Sequence, residues 1–187
     1  MRKILLGISF YLLTSYANAD DNFEAVKSQL VADNPTLQIS EISYENNALD
    51  LSNSPVSDIS ALSGLTALER LDLEGTNVSD VSALSELTAL ERLDLSGTDI
   101  SDISDISALS GLTALERLDL SGTDISDISA LSGLTALEGL ALSGTDISDV
   151  SALSELTALK TLRLSGTDVS DISGIQHLID IGLRISQ

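Results

Sequence analysis

A chain of 187 residues with 43% hydrophobic content is the size of one ordinary domain and can bury a core. With 3% aromatics, no Trp and no Cys, that core is aliphatic and unstapled, and a thiol nucleophile, a CxxC redox pair and a cysteine zinc cluster are excluded. The formal charge of −20, from 29 acidic and nine basic residues, repels phosphate backbones and anionic headgroups, so neither nucleic acid nor a membrane surface is an expected partner.

Met1-Arg2-Lys3 is followed by an apolar run from Ile4 to Leu13, broken only by Gly7 and Ser9, and then by Ala17-Asn18-Ala19 ahead of Asp20-Asp21. A basic start, a short apolar stretch and an A-x-A site are the layout of a secretory signal peptide, while a membrane anchor needs about 20 apolar residues. Residues 1–19 are therefore read as a leader cleaved after Ala19, and the mature chain is expected to be secreted or periplasmic. Cleavage removes Arg2 and Lys3 and leaves seven basic residues, for a mature charge of −22. No Cys stands where a lipid would attach and no later stretch is long enough to span a bilayer, so no membrane insertion is expected after cleavage.

Residues 20–48 read as an N-terminal helical cap. Asn22 is placed to cap a helix carrying Phe23, Val26 and Leu30 on one face, with Asn34-Pro35 ending it.

From Leu65 onward the sequence copies itself every 22 residues as LTALERLDLSGTDISDISALSG, starting at Leu65, Leu87, Leu112, Leu134 and Leu156, with a degenerate copy around Leu49-Asp50-Leu51. The spacing from Leu87 to Leu112 is 25, because Ser-Asp-Ile occurs an extra time near Asp102 to Ile106. Period-2 spacing at Leu71 and Leu73 predicts a short strand, Ser-Gly-Thr a turn, and Ile-Ser-Asp-Ile-Ser-Ala-Leu a return along the other side. One such coil cannot cover its own leucines, so residues 49–173 are expected to stack as about six coils whose strands form a parallel sheet. Residues 174–187 read as a degenerate last repeat or C-terminal cap. Within them Leu183 and Ile185 stand one residue early against the period, leaving the terminal edge thinly covered and open to self-association.

These coils resemble leucine-rich repeats, and the 22-residue length with Ile-Ser-Asp-Ile on the return is similar to the internalin-like class. The resemblance implies an α/β fold: a curved, right-handed solenoid with a parallel sheet on the concave face, short 3-10 or irregular convex segments and a helical cap, binding proteins on the concave side. Where the family carries an Asn ladder this chain has Ser54, Thr76, Thr98, Thr123, Thr145 and Thr167, and a hydroxyl, with fewer donors than an amide, predicts a softer turn.

The residues beside the inward leucines are the candidate ligand-binding surface: Arg70, Asp72, Arg92, Asp94, Arg117, Asp119, Gly139, Ala141, Lys160 and Arg163. The bland expectation is that the Arg and Asp ladders neutralise one another across strands. The sharper one is a notch at Gly139 and Ala141, where Arg117, Lys160 and Arg163 meet an acidic group of a protein ligand of unknown identity. The only mature aromatics are Phe23 and Tyr44, both in the cap, so this face lacks the Tyr and Trp anchors typical of tight interfaces. Two further columns, Asp99, Asp124, Asp146, Asp168 and Asp58, Asp80, Asp102, Asp127, Asp149, Asp171, invite Ca²⁺, but without an EF-hand loop or glycine-rich nonapeptide they read as aspartates capping turns. No metal or other cofactor is expected. His177 is the lone histidine, read as a surface residue, and no G-x-S-x-G or phosphate-binding G-x-x-x-x-G-K motif occurs, so no enzyme is expected. The expected function is an exported, non-catalytic interaction module binding through its concave face; the alternative is a structural envelope-layer protein that self-associates through its exposed terminal edge.

Overall fold

A computed structural model describes residues 19–38, 40, 42–101 and 106–187. The expected leader lies outside the described residues except for Ala19, the first residue of helix α1 (Ala19–Asp33). Among the described residues no helix is long and apolar enough to cross a membrane.

The repeat folds as its periodicity dictates. Each Leu-x-Leu stretch forms a three-residue strand: β2 (Ala48–Asp50), β3 (Arg70–Asp72), β4 (Arg92–Asp94), β5 (Arg117–Asp119), β6 (Gly139–Ala141), β7 (Thr161–Arg163) and β8 (Arg184–Ser186). Neighbouring strands pair in parallel, with the central leucines Leu49, Leu71, Leu93, Leu118, Leu140 and Leu162 in one line, all at most 3% exposed. On the return, Val78, Val81 and Leu84 and their counterparts point into the same aliphatic column, and Ser82–Glu86 and its equivalents wind as short 3-10 turns. The turn after each strand needs a left-handed residue: Gly122, at φ 68°, lies with its Cβ direction 3.9 Å from the backbone of Gly97, so consecutive turns stack tightly. The extra Ser-Asp-Ile leaves the sheet undisturbed, because Arg92 still pairs with Arg117 and Ile106 is buried; residues 102–105 lie outside the described residues.

The first strand departs from the parallel expectation. β1 (Ser43–Glu45) runs antiparallel to β2, joined by Asn46 and Asn47 at φ 52° and 58°, the left-handed pair that closes a tight hairpin with the twist of its strands. The cap helix buries Phe23, Val26 and Leu30 as expected, but Asn22 does not cap it. The helix begins earlier, and Asn22 Nδ2 instead donates to the Gly64 carbonyl at 2.9 Å, anchoring α1 to the first coil. At the other end Asn34 is buried. Its Nδ2 donates to the carbonyls of Leu30 at 2.9 Å and Asp58 at 2.7 Å, and its Oδ1 accepts from the amides of Ser57 at 2.8 Å and Asp58 at 2.9 Å. One side chain therefore ends the helix and supplies the bonds a preceding coil would have made.

The hydroxyl column also has a definite role. Thr76, Thr98, Thr123 and Thr145 are buried, and each Oγ1 donates within its own coil to the carbonyl three residues back, at 2.6 to 2.8 Å. The bonds close individual turns; the bonds between coils come from the backbone, as in Gly97 N to Ser121 O at 2.8 Å and Asp124 N to Ile100 O at 3.1 Å.

The last coil corrects the expected spacing. Ile185 pairs with Leu162, a separation of 23 residues, so it stands one residue late, not early. Helix α2 (Gln176–Asp180) and Gly182 at φ 117° take up the additional residue, and the register follows the apolar side chain, since a one-residue slip would turn Arg184 into the core. In the coil that leads into this strand the core frays: Val169, Ile172, Ile179 and Ile185 are only half-buried, and Ile181 is 65% exposed.

Candidate functional site

With the middle residue of each strand facing the core, the two flanking residues face the concave side. In-register parallel pairing then stacks like on like: Arg70, Arg92 and Arg117 form one column, and Asp50, Asp72, Asp94 and Asp119 the other. Together they line a concave groove of about 710 Å³ that holds all ten residues singled out from the sequence.

Neutralisation of the Arg ladder by the Asp ladder does not occur. Among the described residues the ion pair within 4 Å is Lys160–Glu138, at 2.5 Å, and none joins an Arg to an Asp of the ladders. The reason is the register: across strands each charge meets its own kind, and along a strand its opposite lies two residues away. Each Asp turns instead to the backbone ahead of it. Asp50, Asp72, Asp94 and Asp119 accept the amides of Ser52, Glu74, Ser96 and Ser121 at 2.8 to 3.0 Å, fixing the turn that ends each strand. Burial, followed by the charges of Asp94, Asp50 and Glu74, pushes the Asp72 carboxyl above the usual carboxylate range against the opposing pull of the Glu74 amide. Asp72, Glu74 and Asp94 bring carboxylate oxygens within 4.8 Å of one another. This column of the groove is thus acidic and under mutual repulsion.

The C-terminal end of the groove changes character at β6. Gly139 and Ala141 replace the Arg and the Asp; a Cβ on Gly139 would lie 3.3 Å from Thr161 Oγ1 and 3.8 Å from Arg117 Cγ, so the missing side chain is what opens the floor beside Arg117. Arg163 stands exposed beyond Ala141, and Arg184 continues the column of Arg117, Gly139 and Thr161. Lys160, expected beside Arg163, lies one position ahead of β7, where its ammonium is held by Glu138. The basic side chains toward this end are therefore Arg117 and Arg163 in the groove, with Arg184 on the strand that follows. Arg184 was hidden from the sequence because the 22-residue period assigns its position to an inward residue.

On the convex side Asp58, Asp80, Asp127, Asp149 and Asp171 each accept the amide of the serine two residues on, at 2.8 or 2.9 Å, at the start of a 3-10 turn. Backbone and hydroxyl bonds from these serines hold Asp58, Asp80, Asp149 and Asp171 below the ordinary carboxylate range. Turn-capping, as expected, is what these residues do; Asp102 lies outside the described residues. His177 is exposed, with Nε2 2.8 Å from the Ser154 carbonyl.

The family profile described as Leucine Rich repeats (2 copies) matches residues 66–108 and 88–133. The chain is similar to a crystal structure of an internalin (inlF) from Listeria monocytogenes, with 27% identity and a TM-score of 0.60, over 86% of this chain and 54% of that one. The chain thus spans about half the length of that internalin. It also shares its fold with internalin C2 from the same organism, at 20% identity and a TM-score of 0.51, over 87% of this chain and 92% of that one. No curated protein matches the sequence. The 22-residue coil, its 3-10 return, the helical cap and these matches show leucine-rich repeats folded like those of the internalins.

Proposed function

We propose that this protein is exported and works as a non-catalytic module that takes a protein ligand along its concave groove. Leucine-rich repeats of this kind are protein-interaction scaffolds. The observation that carries the concave reading is the pair of charged ladders that run side by side along β3 to β5 of one groove and are left without ion partners inside the chain. A fitting ligand places basic side chains over the Asp50 to Asp119 column and an acidic group against Arg117, Arg163 and Arg184. Such charges steer encounter and set orientation, and without concave aromatics the affinity is modest.

A photo-crosslinking residue at Thr161, with Ser132 on the convex side as control, tests the face. Adducts with a partner from the surface fraction of the producing cells are expected from Thr161 alone, and equal or preferential labelling from Ser132 refutes concave binding. Arg163→Glu should weaken capture of the same partner about tenfold, equivalent to about 1.4 kcal/mol. Export has its own test: the chain recovered outside the cytoplasm should begin at Asp20, and a chain that stays inside with Met1 intact refutes it.

A further inference from the structure

The two ends of the sheet are complementary to each other. Among the described residues, β1 makes its strand pairing with β2 only and β8 with β7 only, so each presents one unpaired backbone edge. Such an edge is a template for another strand. Both edges also carry side chains that one copy leaves uncovered. At the C-terminal end Ile185 is half-buried and Ile181 is 65% exposed. At the N-terminal end an open groove of about 390 Å³ lies against β1, floored by Phe23 and Tyr44 stacked with ring centroids 4.1 Å apart.

Register and charge select the occupant. Within the chain Glu45 lies opposite Ala48 and Tyr44 opposite Leu49. Following the same columns across the sheet leads from Ala48 to Arg184 and from Leu49 to Ile185. If β1 of a second copy continues the sheet beyond β8 with its columns unbroken, its Glu45 faces Arg184 and its Tyr44 faces Ile185. The strands are then antiparallel, the sense in which β1 already pairs. An opposite-charge pair next to an aromatic–aliphatic pair is a favourable cross-strand set. A two-fold contact of β8 with another β8 sets Arg184 against Ser186 and leaves the aromatic groove empty.

We infer that copies of this chain associate head to tail, β8 of one adding to β1 of the next, with the Arg184–Glu45 pair setting the register. Such a contact joins two different surfaces and repeats without closing on itself at two copies.

The test is light scattering coupled to size-exclusion chromatography on the purified chain, its N-terminus read by intact mass, over a wide concentration range. Wild-type mass should rise with concentration beyond that of a dimer. Glu45→Arg and Arg184→Glu should each raise the concentration needed for association about tenfold, with circular dichroism unchanged because both residues are exposed. An equimolar mixture of the two variants should recover assembly, since each interface then pairs Arg184 with Glu45 or the reversed charges with each other. A mass that stays monomeric, a plateau at the dimer, or assembly indifferent to both reversals overturns the inference. Failure of the mixture to recover, with both variants folded by circular dichroism, does so as well.

Discussion

Asn34→Ala is the substitution expected to damage the protein most for the atoms it removes. Truncation strips the acceptor from the amides of Ser57 and Asp58 and the donor from the Asp58 carbonyl, while the Leu30 carbonyl keeps the Asn34 amide at 3.0 Å. A buried donor left unpaired costs about 1 to 3 kcal/mol, and water reaches Ser57 and Asp58 in part, so the low end applies to each and the sum is about 3 kcal/mol. For a chain of this size that lowers Tm by about 6 to 12 °C, read by far-UV circular dichroism. The loss should also be local, because each coil touches only its neighbours. Amide exchange should quicken at Leu51 and Glu69 in the first coils and stay unchanged at Leu142. A Tm shift under about 2 °C, or exchange rising uniformly along the stack, refutes the reading of Asn34 as the substitute for a missing coil.

Thr123→Val removes the Oγ1 bond to Leu120 at 2.7 Å while keeping shape, and the Thr123 amide still reaches that carbonyl, so urea unfolding should report a loss of about 1 kcal/mol. A loss above about 3 kcal/mol would mean that the hydroxyls tie coils together. Asp80→Asn keeps an acceptor for Ser82 and loses the charge. Because the folded pKa of Asp80 lies below its unfolded value, its charge stabilises above about pH 3.9, and that contribution is lost as pH falls through the folded value. The Tm gap between wild type and Asp80→Asn should therefore be widest near neutral pH and vanish in acid. Asp72 has the opposite sign: its folded pKa is raised, so its charge costs stability at neutral pH. Asp72→Asn should raise Tm at pH 7, with the gain fading as pH falls through that raised value; a variant no more stable than wild type at pH 7 counts against repulsion in the ladder.

What was legible in the sequence is what the period carries. Every strand from β2 to β7, every inward leucine and the membership of the two charged columns follow from the 22-residue spacing, because in a stack of like coils sequence alignment is spatial alignment. The misreadings come where that equivalence fails. The Arg and Asp ladders were expected to cancel because they are adjacent in sequence, whereas in-register pairing makes the neighbour of each charge its own copy. Lys160 reads as part of the groove's basic end until its position ahead of β7 hands it to Glu138. The hairpin at Asn46-Asn47 carried a local signal in its two consecutive residues suited to left-handed backbone. Asn34 carried none, since a buried amide that binds a segment more than 20 residues away is set by tertiary packing. The last strand was misplaced because α2 and Gly182 stretch its coil, and Arg184 went unseen with it.

The run Leu87 to Ser104 recurs without change from Leu112 to Ser129, and its strands sit next to each other as β4 and β5. Contacts between such coils are interchangeable, so deleting residues 112–133 joins Gly111 to Leu134 and sets β4 against β6 with every type of inward contact already in use. Arg92 and Asp94 then take the places of Arg117 and Asp119, and the far end of the columns, at Asp50, moves toward Arg163 by one strand spacing, about 4.8 Å. Duplication moves it away by the same step. The length of the paired columns is therefore a ruler graduated in whole coils, and the length of partner it measures can change by gene duplication while the junction at Gly139 and Ala141 stays as it is.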